Sequence, residues 1–493
     1  MPRNTSPLSG AQRQRAVGAL MGTAAGDALG AGYTLSPPIL AREPIDMIGR
    51  GAYAAGEWTD ATAMAIAVAE IASFASQLTA PQRLEDLVQR WAWWGRDAKS
   101  VGPQTAAVLA AIDGTTDDRA EAARYAAAAL FADAGRTLDA TCLTRAVPVA
   151  LFNLGPRDEW SATHAARTLC ALTHAGPDAA DATALWTLAV RHAVRTGELD
   201  LRIGLSQIDE NRRDLWAARI AQAEHAHPAD FTAATDDVVG VVQAAWSAIT
   251  NTSAPEQDPQ AGVFTADRLR LALEAAVRGG GHTAIVAAVA GGLLGAAYGA
   301  LALPWQWRAI LRGWPGLRVH GLSGLADKIL NGGEPCRPRP IGWWRDEPYP
   351  KRYPRDDGVW IGVAARLGRL PADVEAVVSL CPISDENMPA GVLHLEVWLE
   401  ETAADNAHLD FVLLDTVRAI EALRADGVTV FLHGHRTRTR ASAVAALYGA
   451  RRTGIDVEQA LAEVCAALRD VNPSDEFRAA MHRLSPATER STR

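Results

Sequence analysis

Cysteine is scarce: Cys142, Cys170, Cys336, Cys381 and Cys465 are odd in number, far apart, and never form a C-x-x-C pair. This excludes a zinc framework and a disulfide scaffold and predicts reduced thiols. A basic excess is also missing. The net charge is −9 and the pI is near 5.8, so no global positive field gathers phosphates and a dedicated nucleic-acid binder is excluded. The N-terminal stretch MPRNTSPLSGAQRQRAVGAL lacks an uninterrupted apolar segment ending in a small-residue cleavage site, and is read as the start of a mature, cytoplasmic chain. One charge-free run, TAIVAAVAGGLLGAAYGALAL at residues 283–303, is long enough to span a bilayer. It is mostly Ala and Gly, with Gly291, Gly295 and Gly299 recurring every four residues. Small residues on one helical face let another helix approach closely, so the run is expected to be a buried central helix with no membrane role.

What is present is globular: 48% hydrophobic and 21% charged residues in 493. That length exceeds what one core organises and predicts two domains. Residues 1–332 are Ala-rich with helical periodicity, as in AVGALMGTAAGDALG and ATAMAIAVAEIASFA, and predict an all-α domain. Residues 333–357 are rich in Pro, Arg and Trp and read as a linker or extended strap, with Trp343 and Trp344 packing on a surface or stacking on a ligand. Over 358–485, short alternating runs (VWIGVAARL, EAVVSLCPI, VLHLEVWL, VTVFLHG) alternate with helical ones, which predicts an α/β domain with a parallel or mixed sheet. Residues 486–493 are a tail.

Four passages of the first half, GALMGTAAGDALGAGYT, GEWTDATAMA, LTRAVPVAL and RGGGHTAIVAAVAGGLLGAAYG, together resemble the ADP-ribosylglycohydrolase family. The resemblance implies an all-α fold, removal of ADP-ribose from modified groups, and two magnesium ions. Motif positions that carry family carboxylates fall here on Thr34, on Thr59, Asp60 and Ala61, and on His282, Thr283, Ala284 and Ile285. Only Asp60 remains. Two Mg²⁺ bring four positive charges into one cleft, and a single carboxylate does not offset them. No cofactor is therefore expected; the alternative is one divalent metal, with Thr59, Asp60 and His282 as candidate ligands. His282 reads first as a cap or hydrogen-bonding residue at the start of the central helix. Asp27, within AAGDALG, is a second candidate acid; its other reading is an anchor that caps a helix or neighbouring loop.

In the second half, FLHGHRTRTRAS runs from a strand through a basic turn into the helix AVAALYGARR. His433 and Arg440, with the residues between them, are similar to the His-Cys-x5-Arg loop of the protein-tyrosine and dual-specificity phosphatases. The nucleophilic cysteine falls on Gly434, which offers no side chain, so thiolate catalysis is excluded. The resemblance implies a phosphate cradle from loop amides, Thr439 and the Arg440 guanidinium, with Gly434 easing approach of the anion to the backbone and His435, Arg436 and Arg438 adding charge. The other reading pairs these arginines with Asp356, Asp357 or Glu401.

Loss of reacting groups in both halves predicts a double pseudoenzyme that binds ADP-ribose, a nucleotide or a phosphorylated protein. The rivals are a hydrolase acting on an N-glycosidic nucleotide through Asp60 or Asp27, and a structural partner of an active paralogue.

Overall fold

The computed structural model describes residues 8–115, 117–334, 349–383, 388–389, 391–400, 402, 405–468 and 471–486. The chain forms two compact units. The first contains Met1–Ser253, Arg268–Leu303 and Ile310–Cys336, and the second contains Ala254–Asp267, Pro304–Ala309 and Arg337–Arg493.

The first unit is helical. Its opening helix, Gly10–Ala31, starts at a capping box in which the Ser9 hydroxyl accepts from the Gln12 amide and the Gln12 side chain accepts from the Ser9 amide. From Ala16 onward every residue of that helix is buried. Its partner is the helix Thr283–Tyr298, which also lies in the core. The two approach at a stripe of small residues. A Cβ on Gly18, Gly22, Gly26 or Gly30 would stand 2.4, 2.1, 1.9 and 2.4 Å from the carbonyl oxygens of Gly295, Gly291, Ala287 and Thr283. The pairs run in opposite directions, so the helices are antiparallel. The charge-free run is thus a buried helix that ends before Gly299, whose φ of +85° suits glycine. Among the described residues, no helix is long and apolar enough to cross a membrane.

The second unit is built on a mixed five-stranded sheet. Strands β1 (Arg312–Gly313) and β2 (Leu317–Arg318) form a small hairpin in the first unit; the sheet comprises β3 (Lys351–Tyr353), β4 (Asp356–Val363), β5 (Ala376–Ser379), β6 (Leu393–Glu396) and β7 (Val430–Gly434), in the order β3-β4-β7-β5-β6. Strands β4, β7, β5 and β6 are parallel, and β3 is an antiparallel edge. Parallel strands need helical crossovers, here Leu409–Ala425 and others. One face buries Val377, Ile383, Leu367 and Phe431 together.

Two features differ from the sequence expectation. The linker placed at 333–357 gives way at residue 351 to β3, because Tyr353 is fully buried and Arg352 stacks on Trp360 at 4.4 Å. Trp343 and Trp344 lie outside the described residues, as do Glu401 and most of the tail. The helical region placed at 1–332 also yields two segments to the second unit. In one, Phe264 meets Phe411 edge to face at 5.8 Å. In the other, buried Arg308 binds Asp415 at 2.8 Å and donates to the Glu396 carbonyl at 2.9 Å.

Candidate functional site

Asp27 sits on the opening helix, one residue beyond Gly26, and is wholly buried. Its carboxylate accepts four hydrogen bonds: Thr59 N–H at 3.0 Å, Thr59 hydroxyl at 2.7 Å, Thr62 N–H at 2.9 Å and Thr62 hydroxyl at 2.7 Å. These donors belong to the start of the helix Asp60–Phe74, whose own N-cap residue makes no side-chain cap. Asp27 therefore supplies that cap from another helix. Burial pushes its carboxyl up to about 7 against the pull of the threonine donors, with the charge of Asp60 adding to the rise.

Asp60 opens the same helix, and its Oδ2 accepts from the Gly102 amide at 2.8 Å. A Cβ on Gly102 would lie 2.4 Å from Asp139 Oδ2, so a single glycine separates the two carboxylates. Asp139 Oδ2 also accepts from the Gln104 amide, and its Oδ1 accepts from the Thr141 amide at 3.0 Å, the Thr141 hydroxyl at 2.8 Å and His174 Nε2 at 2.8 Å. The pair splits. Burial and then the neighbouring Asp139 push Asp60 up to about 6. Burial would raise Asp139 too, but His174 and Thr141 outweigh it and hold that carboxyl well below the usual range. Tyr53, bonded to Ser100 at 2.7 Å, is pushed up to about 12 by burial, with Asp60 and Asp27 contributing.

The other candidates of this unit lie where the two long antiparallel helices meet. Thr283 hydroxyl donates to the Gly30 carbonyl at 2.7 Å and lies 3.5 Å from the Thr34 hydroxyl. His282 occupies the N-cap position of the helix Thr283–Tyr298, but its side chain makes no cap hydrogen bond; its backbone N–H donates to Thr235 instead. The structure thus joins Asp27 to Thr59, and Thr34 to Thr283. Sequence reasoning missed Asp139, His174 and Gly102; the only signal was position, since Asp139 lies four residues before the quoted LTRAVPVAL.

In the second unit, β7 delivers His433 and Gly434 to a turn, Thr437–Ala441, that leads into the helix Ser442–Thr453. His433 is buried and shares the Ser379 hydroxyl at 2.7 Å with His394, whose Nε2 lies 2.9 Å from the same oxygen. Burial pushes His433 down to about 3, so it is neutral. Arg440 does not stand free over the loop. It is buried, and its Nη1 donates to the carbonyls of Leu380 at 3.2 Å and Leu399 at 2.7 Å. Thr439 lies 3.5 Å from the Asn472 carbonyl, while His435, Arg436 and Arg438 are exposed. A Cβ on Gly434 would sit 2.8 Å from the Arg436 carbonyl oxygen. That oxygen is an acceptor, turned toward the place where a nucleophile would be. The pairing of loop arginines with Asp356 is also absent from the bonds of that residue: Asp356 is held by Arg424, Arg452 and the Tyr448 hydroxyl.

Comparison with known proteins adds a family model described as ADP-ribosylglycohydrolase, which matches residues 8–338. The chain belongs to the ADP-ribosylglycohydrolase family. Among solved structures, this ADP-ribosylglycohydrolase-family chain is similar to an ADP-ribosylglycohydrolase-related protein complex, with 23% identity over 66% of this chain and 99% of that chain and a TM-score of 0.46. It is also similar to human DUSP28, with 23% identity, 28% and 96% coverage and a TM-score of 0.25. A third is a human tyrosine phosphatase-like serine/threonine/tyrosine-interacting protein, with 16% identity, 27% and 92% coverage and a TM-score of 0.24. No curated protein sequence matches.

Proposed function

We propose that this member of the ADP-ribosylglycohydrolase family binds an ADP-ribose-like nucleotide in its helical unit without hydrolysing it through paired magnesium ions. The observation that supports this is the commitment of its acids to protein donors. Asp27 is consumed by Thr59 and Thr62, Asp139 by His174, Thr141 and Gln104, and Asp60 accepts from Gly102. Ala61, Thr283, Ala284 and Ile285 bring no carboxylate, and among the described residues no three His, Cys, Asp or Glu side chains are grouped for a metal. Magnesium takes hard oxygen ligands in an octahedron, and this donor set does not fit two such ions. The phosphatase-like unit lacks a nucleophile at Gly434. Its exposed Arg438 offers positive charge to a phosphorylated partner, while Arg440 Nη1 donates to the carbonyls of Leu380 and Leu399.

The test is calorimetry with ADP-ribose and separately with Mg²⁺, beside incubation with ADP-ribosylated protein. The reading expects ADP-ribose binding and no released ADP-ribose. Stoichiometric tight Mg²⁺ binding or multiple turnovers overturns it.

A second reading is favoured by one observation, the split between Asp60 and Asp139. Neighbouring carboxylates pushed in opposite directions match the needs of a general acid and a general base. In that reading Asp60 protonates a leaving group of an N-glycosidic nucleotide and Asp139 remains ionised. Turnover that persists in chelator and is lost in Asp60→Asn supports it over the first.

A further inference from the structure

Arg145 is 1% exposed, carries a charge it does not lose, and touches no carboxylate in the hydrogen bonds recorded for it. The Trp91 ring covers its guanidinium at 4.4 Å, and its Nε and Nη2 have no hydrogen-bond partner among the described residues. Its Nη1 lies 2.7 Å from the Thr173 hydroxyl. That hydroxyl lies 2.7 Å from His174 Nδ1, and His174 Nε2 lies 2.8 Å from Asp139 Oδ1. His174 is 2% exposed.

The chemistry of the donors fixes the direction of this chain. A carboxylate only accepts, so His174 Nε2 carries the proton that faces Asp139 Oδ1. In the singly protonated ring Nδ1 is then the lone-pair nitrogen and accepts from the Thr173 hydroxyl, whose oxygen accepts in turn from the Arg145 guanidinium, which only donates. We infer that Arg145 and Thr173 select the Nε2–H tautomer of His174, and that His174 so oriented is the positioning residue that fixes Asp139 beside Asp60. The role in ligand binding rests on the proposed nucleotide reading; the tautomer does not. Cys142 and Cys170 flank the same guanidinium, so their influence needs its own control.

The experiment is ¹H–¹⁵N spectroscopy of the imidazoles in the full chain, with His174 assigned by its loss in His174→Gln. At about pH 8 the expected signature is a protonated Nε2 and a bare Nδ1, unchanged in Cys170→Ser. Thr173→Val removes the donor to Nδ1 and is expected to give mixed tautomers, and Thr173→Ser to restore the single one. A proton on Nδ1 in the unaltered chain, or a signature unaffected by Thr173→Val, overturns the relay. Calorimetry with ADP-ribose reads the second step: roughly tenfold weaker binding in Thr173→Val, recovered in Thr173→Ser, the low end of what losing an orienting partner removes. Equal affinity in Thr173→Val overturns the positioning role. If the unaltered chain binds no ADP-ribose, the nucleotide reading falls, and the spectra still decide the tautomer.

Discussion

Gly22 and Gly291 meet backbone to backbone: a methyl on the first would stand 2.1 Å from the carbonyl oxygen of the second, and a methyl on the second 2.0 Å from that of the first. Neither obstacle is a side chain that can rotate away. The pair is the middle of a four-step stripe, and the two helices it joins hold Asp27, Thr283 and the approach to the candidate site.

Gly22→Ala is therefore expected to destabilise the helical unit by about 2 kcal/mol or more, since overpacking outweighs the gain of roughly 1 kcal/mol in helix propensity. Gly95→Ala is the control. It also lies within a helix, but the Cβ would meet only the end of the Leu109 side chain. Thermal unfolding of both variants measures the difference, and equal melting temperatures would refute the close approach.

Asp27→Asn replaces two acceptor oxygens by one and turns an NH₂ group toward threonine donors. A loss of roughly 3 kcal/mol is expected in denaturant unfolding, the scale of leaving buried donors unpaired. An unchanged stability would return Asp27 to the list of reacting acids.

Asp60 gives a prediction in pH. Its carboxyl is raised from 3.8 to about 6 in the folded chain, so the folded state keeps a proton that the unfolded state releases. The stabilisation is full below about pH 4 and is lost as pH rises through about 6. Measured against Asp60→Asn, the unaltered protein should lose on the order of 2 kcal/mol between about pH 4 and pH 7. A difference that stays flat, or changes with the opposite sign, contradicts the buried pair of Asp60 and Asp139.

The Arg308 and Asp415 pair predicts how the α/β unit behaves alone. Asp415→Ala leaves a buried guanidinium without its partner and should destabilise that unit by roughly 3–5 kcal/mol. A fragment spanning 358–485 lacks both Arg308 and Phe264, and is expected to show no cooperative melting by circular dichroism. Cooperative melting of that fragment would show that the two inserted segments are dispensable.

Gly434→Cys tests the loop. The new Cβ would meet the Arg436 carbonyl oxygen at 2.8 Å, and that oxygen opposes an anion at the same place. No hydrolysis of a phosphate monoester is expected. Measurable turnover would mean that the loop opens readily.

The sequence by itself determined the helical and α/β halves, the family, and which residue types stand at the quoted motif positions. Helical periodicity, strand alternation and motif spacing are local properties, and an Ala or Gly at a motif position abolishes a ligand wherever it is placed. It also showed half of the glycine stripe, at Gly291 and Gly295, but not that Gly18 and Gly22 lie against it. Tertiary structure alone decided which donors each surviving acid meets. Asp27 reads evenly as reactant or anchor in the sequence, and only the fold brings Thr59 and Thr62 to it; likewise only the fold places the carbonyls of Leu380 and Leu399 against Arg440 Nη1. Asp139 and His174, 35 positions apart in the chain, carry no motif that couples them. The charge and hydrogen bonding of a buried group depend on neighbours distant in sequence, and those neighbours are set by packing.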